Sequence, residues 1–261
     1  MNSAWAASAI PTAEVPTPYL PSTPVAVEEM LRLADVQPSD LVVDLGSGDG
    51  RIPITAAVAF GARGYGVDID PKLVAEANEN ARNAGVSERV RFEQKDVFQA
   101  DLREATVVTL YLLTGLVNRL KPKLMKELRP GTRIVAHDFG FSDWTPDRSV
   151  NISKNYLLYI VPAAIAGAWR LHAETADGDN SYDVDITQEH QKIRGGARTG
   201  GAGFLPLFDA HLEGERIRFV LVDGGHAHHF EGRVLGNFMA GSVRHGIGRS
   251  TVTRTWRAER R

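Results

Sequence analysis

Along the first 161 residues, apolar positions switch between short continuous runs and a helical spacing. Val27, Met30, Leu31 and Ala34 fall on one face, which predicts a helix over 25–34. The apolar run at 41–45 ends in glycines, as a buried parallel strand does. A helix over 52–60 and a strand over 64–69 follow. Asp70-Pro71 supplies a capping carboxylate and then a proline at the first helical position, so a helix starts there, runs to about residue 83 and stops at Gly85. Strands are expected over 90–94, 105–113 and 133–139, with a helix over 117–128 before the last and an antiparallel edge strand over 156–161. Strand–helix alternation of this kind predicts an α/β fold with a Rossmann-like, doubly wound, mostly parallel sheet.

Beyond Pro162 the period changes. Trp169/Leu171, Tyr182/Val184/Ile186 and Ile217/Phe219/Leu221 alternate with polar residues, the period of a half-buried strand. Eight short strands are predicted, over 168–174, 182–189, 192–198, 205–212, 216–222, 228–234, 238–243 and 251–258. Their spacing predicts a small all-β antiparallel barrel or sandwich. Composition shifts at the same place: 15 of the 25 glycines and seven of the eight histidines lie in the last 100 residues. The expected organisation is a flexible tail over 1–17, an α/β domain over 18–161 and an all-β domain over 162–261.

Residues 1–13 are rich in small side chains, and residues 4–9 resemble the cleavage end of a secretory signal. A basic n-region and an apolar h-region are missing. The expectation is a disordered tail on a cytoplasmic protein, with export as the alternative. There are no cysteines, which excludes disulfides, a thiol nucleophile and a thiolate zinc site. Thirty basic residues against 32 acidic ones exclude the global basic signature of a nucleic-acid-coating protein. No run of 18 apolar residues exists to span a bilayer.

The chemistry concentrates in Asp44-Leu45-Gly46-Ser47-Gly48-Asp49-Gly50-Arg51, between the first strand and the following helix. Glycines there permit a tight turn and close approach of a ligand at the carboxyl edge of the sheet. The nicotinamide fingerprint would place its third glycine at 51, where Arg51 stands, and no Gly-Lys-Ser/Thr exists for a P-loop.

This Asp-x-Gly-x-Gly-x-Gly resembles motif I of the class I S-adenosylmethionine-dependent methyltransferases. Asp68, at the end of the second strand, stands where that family's acid accepts both ribose hydroxyls. Asp96-Val97, after the third, stands where the adenine is held. A structural turn with helix-capping aspartates does not explain why all three acids sit at strand ends. On the flanks, Pro18-Tyr19-Leu20-Pro21-Ser22-Thr23-Pro24 and the stretch from His137-Asp138-Phe139-Gly140 to Trp144 resemble bacterial relatives of the mitochondrial seven-β-strand protein-lysine methyltransferases. The resemblance stops near residue 161. It implies an S-adenosyl-L-methionine site formed by Tyr19, Thr23, Asp44, Gly46, Ser47, Gly48, Gly50, Asp68, Ile69, Asp96 and Val97, with Tyr19 and Thr23 at the methionine end.

Candidate catalytic residues are Tyr111, after the fourth strand, and His137 and Asp138, at the end of the fifth. The competing assignments are a core aromatic and a loop-capping pair. The Asn-Pro-Pro-Tyr signature of amide and adenine N-methylation is absent. His226, His228 and His229 lack an accompanying carboxylate constellation, so a solvated turn is expected there and no metal. Arg254, Arg257, Arg260 and Arg261 are too few for a nucleic-acid strip. The expected function is methyl transfer to an acceptor nucleophile, a protein lysine among the candidates. The alternatives are a small-molecule methyltransferase whose β domain shapes the acceptor pocket, and a non-catalytic cofactor-binding scaffold.

Overall fold

The computed structural model describes residues 20–175, 178–200, 203–245 and 252–261. Two sheets, each with its own core, follow one another along the chain. The first runs α1 (Pro24–Leu33), β1 (Leu41–Leu45), α2 (Arg51–Phe60), β2 (Arg63–Asp68), α3 (Pro71–Asn83), β3 (Val90–Gln94), a 3-10 turn (Val97–Gln99), β4 (Val107–Leu110), α4 (Thr114–Glu127), β5 (Arg133–His137), β6 (Arg148–Asn151) and β7 (Asn155–Ile160). Local chemistry sets the boundaries. Asp70 accepts a hydrogen bond from the Lys72 amide at 2.8 Å, with Pro71 at the first helical position, and so fixes the start of α3. Thr23 and Pro24 do the same for α1, which buries Ala26, Val27, Met30 and Leu31.

The sheet order is β3-β2-β1-β4-β5-β7-β6, parallel through β5 and antiparallel beyond it. The order reverses between β1 and β4, which places the ligand crevice at their carboxyl ends. Strand β7 is antiparallel as expected, but it is not the edge. That place belongs to β6, a four-residue strand with mostly exposed side chains. Its Arg-Ser-Val-Asn sequence offers no apolar run to read. Strands β4 and β5 are also shorter than expected, so Tyr111 and Asp138 lie just past their strand ends.

The second sheet comprises β8 (Gly167–Thr175), β9 (Gly178–Glu189), β10 (Lys192–Arg198), β11 (Leu205–Pro206), β12 (Phe208–Glu213), β13 (Arg216–Asp223), β14 (His226–Leu235), β15 (Phe238–His245) and β16 (Val252–Arg260). Every pairing is antiparallel, β16 returns to β8, and β10 and β11 lie against β12 and β13. The result is a nearly closed up-and-down barrel. Nine strands stand where eight were predicted, because the run 205–212 breaks at Leu207, whose amide turns to Gly195 O at 3.0 Å. Inward positions fill the interior with Trp169, Tyr182, Phe219, Phe230 and Trp256, so the barrel is a packed core. The two indoles inside the barrel are satisfied: Trp169 Nε1 donates to Ile165 O at 2.8 Å and Trp256 Nε1 to Glu231 O at 3.0 Å.

The histidines of 226–229 are not in a turn. They lie on β14, where alternation buries His228 and exposes His229, while His226, on the same face as His228, is exposed at the first position of the strand. His228 Nδ1 meets His245 Nδ1 at 2.5 Å, and His245 Nε2 lies 3.2 Å from Glu174 O. A carbonyl only accepts, so His245 carries its proton on Nε2 and His228 donates to it. Among the described residues, no helix is long and apolar enough to cross a membrane.

The barrel docks at the amino end of the parallel strands. Gly131, just before β5, and Gly214, in the β12–β13 turn, approach so closely that a Cβ at 214 would come within 2.8 Å of Gly131 Cα. Gln191 Nε2 donates to Ile160 O at 2.6 Å, and its Oε1 accepts from the Gly214 amide at 3.2 Å. In the β9–β10 turn, the His190 ring stacks on Trp144 with centroids 4.8 Å apart and planes 4° from parallel. Lys121 Nζ of α4 reaches His190 Nε2 at 3.0 Å.

Candidate active site

The turn after β1 carries three successive left-handed glycines: Gly46 (φ 83°), Gly48 (φ 53°) and Gly50 (φ 81°). Side chains rarely tolerate that region. At Gly50 space is lacking too, since a Cβ would sit 2.6 Å from Phe92 Cζ and 2.9 Å from Ala77 Cβ. The turn is tied to β2 by the Gly46 and Ser47 amides, which donate to Val67 O at 2.9 and 3.0 Å, and by the Gly48 amide, which donates to Asp68 Oδ2 at 2.9 Å. Gly50 then opens α2 with no side-chain cap.

Acids gather beneath this turn. Asp44 is buried and accepts from Thr109 Oγ1 at 2.7 Å. Burial pushes its carboxyl up from 3.8 to about 7, against the Thr109 hydrogen bond, and the nearby charges of Asp68 and Asp49 add to the rise. Asp68 spends one lone pair per oxygen on the Gly48 and Asp70 amides, which leaves one on each for a further donor. Ser47 Oγ is buried without a hydrogen-bond partner. A crevice with a cramped glycine turn, an orphaned hydroxyl and carboxyls under mutual repulsion fits a ligand that brings positive charge and hydroxyl donors. S-adenosylmethionine, with its sulfonium, ammonium and ribose, is such a ligand.

The remaining expected contact residues are more dispersed. Asp96 caps the 3-10 turn, accepting from the Phe98 amide at 2.9 Å, and Val97 packs against the core beneath β4 and β5. Ile69 is 73% exposed, beside Asp68. Thr23 is exposed and its hydroxyl caps α1, accepting from the Ala26 amide at 3.2 Å. Its neighbour Ser22 is the residue that turns inward. Tyr19 lies outside the described residues.

A second cluster forms past β4 and β5. The Tyr111 and His137 rings stack with centroids 4.1 Å apart, and Tyr156 of β7 lies on His137 at 5.2 Å. His137 is buried, its Nδ1 is 3.0 Å from Ser22 Oγ, and its Nε2 has no partner. Burial lowers its pKa and Lys154 lowers it further, against the pull of Asp138, so the imidazole is neutral at pH 7. Asp138 adopts φ 60°, outside the usual range for a residue with a side chain. Its Oδ1 accepts from the Asn155 amide at 3.0 Å and its Oδ2 from Lys154 Nζ at 2.8 Å. Burial pushes the Asp138 carboxyl up, but those hydrogen bonds outweigh it and the net shift is downward. Arg51 joins the two clusters, holding Asp49 and donating to Ser22 O.

The structure therefore brings Tyr111, His137 and Asp138 together. It adds Ser22 and Arg51, which lie within the motifs above but carry no expected role there, and Lys154 and Tyr156, for which the sequence carries no motif. Ser22 and His137 are 115 residues apart, and only the β5–β7 pairing, His137 opposite Tyr156, sets the aromatic layer.

Residues 44–148 match the ANTKMT methyltransferase domain family. A protein-lysine N-methyltransferase of Saccharolobus islandicus (strain REY15A) is 42% identical over 147 residues, spanning 55% of this chain and 91% of that protein. The adenine nucleotide translocase lysine N-methyltransferase of Mus musculus is 37% identical over 130 residues, 49% of this chain and 56% of its own length. The chain thus spans about half the length of the animal relatives it matches. A crystal structure of an RNA methyltransferase from Salinibacter ruber in complex with S-adenosyl-L-homocysteine has 49% identity and a TM-score of 0.55, over 56% of this chain and 96% of that one. The chain therefore belongs to the family of S-adenosylmethionine-dependent methyltransferases that includes the Saccharolobus islandicus protein-lysine N-methyltransferase.

Proposed function

We propose that the acceptor is the side-chain amine of a protein lysine, received at Asp138 beside the Tyr111–His137–Tyr156 rings. The observation that carries this reading is the pairing of a carboxylate, already holding one lysine ammonium, with a buried neutral imidazole whose Nε2 is unpartnered. When bound, S-adenosylmethionine supplies an electrophilic methyl group on a sulfonium.

The chain's own task is to deliver an uncharged amine. Lysine has a free pKa of about 10.4, so neutralising it at pH 7 costs roughly 4.6 kcal/mol. Asp138 attracts and orients the ammonium but holds its proton on. Donation from His137 Nδ1–H to Ser22 Oγ leaves Nε2 as a proton acceptor. Tyr111 and Tyr156 exclude water from its faces, and a dry site disfavours the charged amine. Ser22 and Arg51 fasten the segment before α1 over the crevice and so align the two clusters.

The relatives named for lysine support this acceptor, and the Salinibacter ruber enzyme named for RNA supplies the competing class. Incubation of a lysate with methyl-labelled S-adenosylmethionine separates them. Label on lysine side chains, mapped by mass spectrometry, is expected. Label confined to RNA or to small molecules overturns the reading.

A further inference from the structure

The turn between β6 and β7 brings one of this protein's own lysines to the carboxylate assigned to the acceptor. Lys154 Nζ lies 2.8 Å from Asp138 Oδ2. Asp138 follows His137 and Lys154 lies two residues before Tyr156, which pairs with His137 across β5 and β7, so the ammonium sits beside the same aromatic layer. We propose that Lys154 is an internal stand-in for the acceptor lysine, occupying Asp138 in the free enzyme and leaving when the substrate ammonium arrives. The proposal rests on the lysine reading above and adds a competitor within the chain.

Three observations support an exchange rather than a fixed structural pair. The two partners differ in anchorage. The Lys154 side chain is 53% exposed, on a turn whose neighbour Ile152 is also exposed, whereas that of Asp138 is only 14% exposed. Asp138 is also held from below by the Asn155 amide, so its carboxylate keeps its place when Lys154 departs. Second, the swap is neutral for Asp138: one ammonium replaces another, and the carboxylate is never left half-buried and unpaired. Third, the backbone at Asp138 is held in the left-handed region, a conformation that persists only where surrounding contacts impose it. While paired, Lys154 stays charged, since the Asp138 hydrogen bond raises its pKa, and a charged amine cannot attack a methyl group. It therefore blocks the site without consuming cofactor.

An exposed ion pair is weak, so the competition is modest, a bias of about threefold to fivefold. The test uses the full chain saturated with S-adenosylhomocysteine and titrated with Nα-acetyl-lysine amide, with binding read by NMR. Lys154→Gln is expected to tighten the probe's Kd about threefold to fivefold, and Lys154→Arg, which keeps the cation, to match the wild type. Asp138→Asn suits the left-handed φ and still accepts from Asn155, so it is expected to fold. It should weaken the probe and abolish any gain from Lys154→Gln in the double variant. In turnover, Lys154→Gln should lower the KM for a lysine acceptor by the same factor. A Kd in Lys154→Gln equal to that of the wild type overturns the stand-in role, even if lysines in the lysate are methylated. An Asp138→Asn variant that binds the probe normally overturns it as well. Label on RNA with none on lysine removes the acceptor reading, and the stand-in falls with it.

Discussion

The two ends of the parallel sheet are built on opposite principles. At the carboxyl end the backbone is bent away from ordinary conformations, acids crowd together, and Ser47 Oγ and His137 Nε2 are buried without partners. At the amino end the same strands meet the barrel through an amide between two backbones, a stacked ring pair and a glycine-on-glycine approach. Strand β5 joins them, with four steps of about 3.3 Å placing roughly 13 Å between Arg133 and His137. The carboxyl end combines two unpartnered polar atoms with crowded acids, whereas at the docking face Trp144 Nε1 is the unpartnered atom and the backbone contacts are paired. Among the described residues the barrel's contacts fall on Lys121, Gly131, Trp144 and Ile160.

The sharpest break in that contrast is Gly48→Val. A β-branched residue at φ 53° is strained, and its side chain enters the turn whose amide reaches Asp68. Cofactor affinity is expected to fall more than a hundredfold by calorimetry, while barrel unfolding is unchanged. Retained binding would move the cofactor away from this turn.

Asp44→Asn tests the crowded acids at the carboxyl end. With its folded pKa near 7 against 3.8, Asp44 is neutral in the fold where the unfolded chain would ionise it. Its contribution to stability is therefore largest below about pH 4, declines as pH rises towards 7 and is flat above. That difference amounts to roughly 4 kcal/mol at 1.36 kcal/mol per pKa unit. Asparagine removes the decline, so the variant should be more stable than the wild type at pH 8 and bind S-adenosylmethionine less tightly. A wild-type Tm that does not fall between pH 4 and 7 relative to the variant would contradict the assigned burial.

What the sequence made legible follows the same division. The crevice proposed for the cofactor is written locally: Asp44 to Gly50 are contiguous, and Asp68 and Asp96 each follow a predicted strand. Alternation also carried the barrel, since a period of two is a local property of each strand. What stayed hidden depends on pairing across the chain. Lys154 is an ordinary turn lysine until β7 folds back beside β5 and sets it on Asp138. Strand β6 is polar because it is an edge, so it carries no hydrophobic signal. The buried His228 was hidden by its own neighbours, since three histidines in four residues suggest solvent until the pairing of β14 with β15 sets His228 against His245.

Residues 14–161 alone sharpen the comparison from the other side. The residues proposed for the cofactor and the acceptor precede Pro162, so the fragment should bind S-adenosylmethionine with a Kd within about threefold of the full chain. Its thermal stability should drop, because the faces of Trp144 and Ile160 that meet the barrel are opened to water. Loss of binding in a soluble, folded fragment would mean that the two ends are coupled.

The smallest effect belongs to His190, and it asks whether the docking contact responds to pH. Lys121 donates to His190 Nε2, so the ring must be neutral and carry its proton on Nδ1. Burial lowers the His190 pKa, and the Lys121 charge lowers it further. A histidine whose folded pKa is depressed supports the contact fully above its ordinary value of 6.5 and loses that support as pH falls through the folded pKa. Protonation would set an imidazolium against the Lys121 ammonium at the same nitrogen. His190→Ala removes the stack on Trp144, a loss of about 1 kcal/mol for a ring pair. It should lower Tm by a few degrees at pH 8 with cofactor affinity unchanged. The variant should also flatten the fall in Tm that the wild type shows between pH 7 and 5. Equal pH profiles in the two proteins would mean that His190 is held by its stack alone, with the Lys121 contact contributing nothing.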